Sequence, residues 1–121
     1  MKKLGRTRSM RQALIKSLAS ALILNRRIET TQAKAKMVQP IIEKLTRLAK
    51  NLGRNESHKQ ILTFFQDRII VNKLFEHASG SSRSSGFTRL IHTGIRHGDS
   101  ARLSRLEWVD STHSTHKTHK P

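Results

Sequence analysis

The chain has 121 residues, 35% of them apolar, and carries 24 Lys and Arg against 8 Asp and Glu, a formal net charge of +16. That length suits one domain with a modest core, and that charge calls for a polyanionic partner to offset self-repulsion, with nucleic acid favoured over an anionic membrane. The absence of cysteine excludes disulfides and cysteine-ligated metals, and no apolar run approaches the ~20 residues needed to cross a bilayer.

Residues 1–8 hold Lys2, Lys3, Arg6 and Arg8 with little that could pack, and read as a flexible basic arm. Arg11 and Lys16 extend the basic run, and no acid occurs before Glu29. Ser9 is the expected N-cap of a first helix, since its hydroxyl can accept from an orphan N–H of the first turn. Met10, Leu14, Leu18 and Leu22 recur every four residues and predict its core stripe. Lys16, Ser17 and Ser20 interrupt the apolar stretch, which does not read as a signal peptide. Asn25 suits a left-handed C-cap, and the partly β-branched run Arg27 to Thr30 predicts a brief strand.

Thr31 is the expected N-cap of a second helix, in which Val38, Ile41, Ile42, Leu45, Leu48 and Leu52 follow three-and-four spacing up to Gly53. Pro40 lies inside it and predicts a kink or two helical pieces. Two short helices are expected over 56–65 and 67–78, the second capped by Asp67, with Leu62, Phe65, Ile69, Ile70, Leu74 and Phe75 supplying the core. Gly80 to Gly86 is a loop by composition. Strands are expected over 87–93 and 103–109, joined as a hairpin, with Leu106 and Trp108 on one face against the helices. From Ser111 onward the chain is Ser, Thr, His and Lys with nothing to bury, a tail expected to be disordered. The expected organisation is an arm over 1–8, one domain over 9–110 and a tail over 111–121.

Catalytic chemistry is hard to assemble from these residues. The eight acids are scattered, mostly as surface ion-pair partners, and there is no phosphate-cradling glycine motif and no thiol nucleophile. No enzyme activity, cofactor, metal or small-molecule substrate is expected. His113, His116 and His119 could chelate a metal if the tail coiled, but ordering it costs ~1–2 kcal/mol per residue with nothing to offset the loss. The basic amphipathic stretch Lys2 to Leu24 could lie on a membrane, but its leucines are needed for the domain's own core. A helix-turn-helix or nucleoid-type DNA binder is the alternative to an RNA binder. It would need a short turn where Arg26 to Thr30 looks extended.

Several segments carry a resemblance in one order: Lys3-Leu4-Gly5-Arg6-Thr7 with Arg11-Gln12-Ala13-Leu14, then Ile28-Glu29-Thr30-Thr31 with Ala33-Lys34-Ala35-Lys36. Glu43-Lys44-Leu45, Leu48-Ala49-Lys50, Lys73-Leu74-Phe75, Gly86-Phe87-Thr88-Arg89, Arg96, Gly98-Asp99, Glu107 and Val109 continue it. From about Lys2 to Asp110 the chain resembles the bacterial-type seventeenth protein of the large ribosomal subunit. Met10 stands where that family usually has His, and Ser85 where it has a second Gly. The resemblance implies an α+β domain of about four helices on a small mixed three-stranded sheet. It further implies a structural role on large-subunit ribosomal RNA near the polypeptide exit tunnel, beside neighbouring large-subunit ribosomal proteins and away from membranes. The expected location is a ribosome in a bacterial cytoplasm, with a mitochondrial or plastid ribosome as the alternative. RNA contact is carried onto Lys2, Lys3, Arg6, Arg8 and Arg11 of the N-terminal segment, onto Lys34 and Lys36, and onto Arg89 and Arg96. Lys16, Arg26, Arg27 and Arg83 complete the candidate RNA-binding set.

Overall fold

A computed structural model describes residues 7–51, 54–83 and 85–109, with side chains excepted at 54–56. Four helices and three strands follow in the order α1 (Arg8–Asn25), β1 (Arg27–Thr31), α2 (Gln32–Asn51), α3 (Arg54–Phe65), α4 (Arg68–Ser79), β2 (Thr88–Ile95) and β3 (Arg102–Trp108). The expected α+β class holds. The arm residues before Thr7, the Gly53 helix stop, Asp110 and the tail from Ser111 lie outside the described residues.

Helix α1 begins earlier than its expected cap. Thr7, in extended conformation, accepts a hydrogen bond from the Met10 amide, so it satisfies the orphan donor that Ser9 was expected to serve. Arg8, read from sequence as part of the arm, therefore opens the helix. At the other end Arg26, not Asn25, takes the left-handed conformation, φ 71°, and its amide bonds to the Leu22 carbonyl. The buried face is also rotated from the leucine stripe. Ile15, Ala19, Leu22 and Ile23 are buried, Leu14 and Leu18 are half-buried, and Met10 is 51% exposed. The small side chain of Ala19 lets neighbouring elements approach closely, which an all-leucine face would prevent.

Helix α2 packs against all three strands and the other helices. It buries Ala35, Val38, Ile42, Leu45 and Ala49, with Ile41 and Leu48 half-buried beside them. It runs unbroken through Pro40 rather than splitting in two. Proline leaves the Lys36 carbonyl without its usual donor, and both residues are exposed, so water can take that place. Thr46 is fully buried and satisfies its hydroxyl by donating to the Ile42 carbonyl at 2.7 Å.

Asp67 caps α4 as expected, accepting from the Ile69 amide at 2.9 Å. Ile69 itself is 66% exposed and is not a core residue. At the second helical position it points outward while Ile70, Val71, Leu74, Phe75 and Ala78 are buried. In α3 Ser57 and Ile61 are fully buried and Phe65 is buried, with Leu62 only half-buried against the core.

The sheet has the order β1-β3-β2, and both ladders are antiparallel. It is therefore not mixed. β1 and β2 run the same way but lie on opposite sides of β3, so no parallel ladder forms between them. In β3, Ser104, Leu106 and Trp108 are buried toward the helices. The Trp108 indole donates to the Leu22 carbonyl at 3.1 Å and stacks on His77 at 4.5 Å, joining the sheet to α1 and α4. Because β1 separates α1 from α2 and pairs into the sheet, the turn of a helix-turn-helix reader is absent between those helices.

Candidate nucleic-acid interface

The basic residues singled out from sequence do not fall into one spot. Arg8, Arg11 and Lys16 lie along the first three turns of α1, and Lys34 and Lys36 in the first two turns of α2. Neither helix has an acid in its first turn. Basic side chains at a helix N-terminus oppose the positive end of the helix dipole, a placement unfavourable by ~0.3–1 kcal/mol unless an anion occupies the site. Near the start of α2, Lys36 and Arg102 line an open groove of about 390 Å³ together with Thr31, Gln32, Ala33 and Ala101. Lys2, Lys3 and Arg6 lie outside the described residues.

A second group gathers around the sheet. Arg26 sits at the corner between α1 and β1, where its carbonyl accepts from the Trp108 amide at 3.2 Å. Arg27 opens β1 and pairs across to Glu107, and Arg89 of β2 pairs with the same Glu107 from the other side. Directly paired residues of antiparallel strands share a face. Leu106 and Trp108 point into the core, so Arg27, Glu107 and Arg89 point away from it. Period-two alternation puts Glu29, Arg105 and Ile91 on the same outward face, followed by Thr31, Leu103 and Gly94. Among the described residues the helices all lie on the opposite side, so this face is open.

Glu107 organises that face. Its carboxylate accepts from Arg89 Nε at 2.6 Å and lies 2.5 Å from Arg89 Nη2. Arg105 Nε stands 2.9 Å from the other carboxylate oxygen, close enough for an ion pair but off the line of a hydrogen bond. The Glu107 side chain is only 13% exposed, while that of Arg89 is 60% exposed, so the carboxylate lies beneath the guanidinium. Arg105 was missed by the sequence reading. The buried positions Leu106 and Trp108 were the signal that could have found it, since their odd-numbered neighbours must face outward.

At the hairpin tip Arg96 is held by Asp99, with Nη2 2.5 Å and Nε 3.2 Å from its two oxygens. Asp99 also accepts from the Ala101 amide at 3.1 Å. The bond from Arg96, joined by that from Ala101, holds the Asp99 carboxyl down to about 2. Gly98, at φ 97°, supplies a backbone conformation that a side chain would strain. Arg83 is exposed in the loop between α4 and β2, its amide bonded to the Ser81 hydroxyl at 3.2 Å.

No helix among the described residues is long and apolar enough to cross a membrane. Those residues also include no cluster of three or more His, Asp or Glu placed to hold a metal ion. The family model described as ribosomal protein L17 matches residues 14–109. A large ribosomal subunit protein bL17 of Symbiobacterium thermophilum is 44% identical over 109 residues, covering 88% of this chain and 96% of the relative. Those of Wolinella succinogenes and Chlorobaculum tepidum are 42% and 37% identical, covering 89% and 90% of this chain and 94% and 70% of theirs.

Proposed function

We infer the function from one premise: the chain belongs to the ribosomal protein L17 family. It is a structural component of the large ribosomal subunit and not an enzyme, and the bacterial origin of its relatives supports a ribosome in a bacterial cytoplasm as its location. Beyond that, we propose that it binds large-subunit ribosomal RNA near the polypeptide exit tunnel, with neighbouring ribosomal proteins as its other partners. The observation that carries this reading is the uncompensated charge at +16, together with basic residues at two helix starts whose first turns hold no acid. Phosphates are the ligand for which basic side chains and helix amides act together rather than against each other.

In this reading Lys2, Lys3, Arg6, Arg8 and Arg11 form an N-terminal attachment that runs into the first turn of α1. Lys34 and Lys36 form a second contact, and Lys16, Arg26, Arg27, Arg83, Arg89 and Arg96 supply the remainder. The test is binding of the full chain to deproteinised bacterial large-subunit ribosomal RNA across a salt series. Affinity should fall steeply, with a log–log slope near −0.7 to −0.9 per phosphate neutralised. Deleting residues 2–6 should lower both affinity and slope, by about one slope unit for each phosphate left without its basic side chain. Salt-independent affinity would overturn the reading.

A further inference from the structure

The open face of the sheet carries an arrangement that the RNA-binding reading does not by itself require. Arg27 and Arg89 flank Glu107 at paired positions on the two outer strands. With strands ~4.8 Å apart, their Cα atoms stand roughly 10 Å from each other. Arg105 lies two residues along the central strand, between Glu29 and Ile91. Three arginines therefore stand on one face of the sheet, with the half-buried Leu103 on the central strand and the half-buried Ile91 on the outer strand β2 beside them. Glu107 grips Arg89 through both Nε and Nη2. Arg105 keeps a buried Nε–H without an aligned acceptor, although a carboxylate oxygen is 2.9 Å away.

We propose that this face docks on the phosphate backbone of duplex ribosomal RNA through Arg27, Arg89 and Arg105, with Glu107 as the residue that positions the last two. The proposal rests on the RNA-binding reading and names the surface. Three features favour RNA as the occupant. The charged donors on the face are all arginines, whose fork matches phosphate oxygens in pairs where lysine offers a point charge. The face spans three strands, and the wide, shallow minor groove of an RNA duplex accepts a broad surface against its flanking phosphates and 2′-hydroxyls. Finally, a carboxylate beneath an arginine fixes the guanidinium before binding, which lowers the ordering entropy lost when the phosphate arrives.

The consequence has an unusual sign. Removing an acid from a polyanion-binding protein normally strengthens binding. Here Glu107→Gln removes the group that aims two arginines, so affinity for RNA should fall severalfold. Arg89→Ala and Arg105→Ala should each lower affinity ~5–10-fold near 0.1 M salt and reduce the salt slope by about one. Arg89→Lys, which keeps the charge and loses the fork, should recover only part of the loss. The probe is deproteinised bacterial large-subunit RNA with the full chain, and circular dichroism checks that each variant is folded. A second measurement does not depend on affinity. The native chain has no cysteine, so Ile91→Cys carries a single photo-crosslinker on the face, paired with Arg105 and two residues from Arg89, and in assembled large subunits it should crosslink to RNA.

Crosslinking to a ribosomal protein would overturn the proposal and make the face a protein contact. Unchanged affinity and slope in folded Arg89→Ala and Arg105→Ala would also overturn it, as would a rise in affinity for Glu107→Gln. If the unaltered chain retained its steep salt dependence in those cases, the RNA-binding reading would stand and only the assignment of the face would fail.

Discussion

Glu43 accepts three hydrogen bonds where β2 begins: from the Phe87 amide at 3.1 Å, the Thr88 amide at 2.8 Å and the Thr88 hydroxyl at 2.7 Å. Gln39, one turn earlier on α2, donates to Thr88 as well. An acid that reads in sequence as one more surface ion-pair partner is thus the tie between the central helix and the sheet. Glu43→Ala leaves two backbone donors in partly buried surroundings, at ~1–3 kcal/mol each when unmet. Thermal melts should show it destabilised by about 2–4 kcal/mol, with Glu43→Gln less affected because its carbonyl can accept part of the set. A loss within the ~0.5 kcal/mol of an ordinary surface change would contradict this role.

His77 gives a pH dependence. Its Nε2 lies 3.1 Å from the Ile23 carbonyl, which requires the proton on that nitrogen, and its ring stacks on Trp108. Burial lowers its pKa below 6.5; the Ile23 hydrogen bond and Glu76 pull it up, and Arg26 and Lys73 push it further down. The folded state therefore resists protonation that the unfolded chain accepts. The contribution is fully present above pH 6.5 and is lost as the pH falls toward the lowered folded value. Melting temperature should decline over that interval, and His77→Gln should flatten the decline. The Asp99 carboxyl, held at about 2 from 3.8, acts only at far lower pH, so the two effects separate.

At the scale of elements, α2 is the organising piece, and it carries a defect at its centre. A proline in a helix interior is ~3 kcal/mol less favourable than alanine, yet α2 continues through Pro40 for a further eleven residues. Its packing against three strands and three helices holds it together. Pro40 is exposed, so the ring is not needed for packing. Pro40→Ala restores a backbone donor to the Lys36 carbonyl and should stabilise the domain by ~2 kcal/mol, the gain being trimmed by greater freedom of the unfolded chain. Denaturant melts check this, and a destabilised variant would mean that the proline sets a bend the sheet requires. The central strand shows a related division of labour. Its inward side chains, Leu106 and Trp108, build the core, and its outward ones, Arg105 and Glu107, build the charged face.

For the whole molecule, charge sets opposite responses to salt. With +16 on one modest core, the free protein is weakened by self-repulsion that added salt screens. Salt should therefore raise its melting temperature. Bound to ribosomal RNA, the protein gains stability from the ligand in proportion to affinity, and salt removes that gain by weakening binding. Melts with and without RNA should converge as salt rises. Parallel rises in both would exclude phosphate binding as the source of stabilisation.

Much of this protein is local information. The order of helices and strands follows from periodicity, Asp67 from its position before a helix, and the hairpin from two strand patterns around Gly94 to Ala101. Net charge and the want of site chemistry pointed to a polyanion partner, and segment order pointed to the family, because both are properties of the chain read in one dimension. Tertiary structure decided what depends on neighbours. It set which side of α1 is buried, since Ala19 and Ile23 meet other elements while Met10 meets water. It also placed β3 between β1 and β2, which no local pattern specifies because strand pairing joins residues far apart. That placement alone brings Arg27, Arg89 and Arg105, drawn from three separate strands, around the single carboxylate of Glu107.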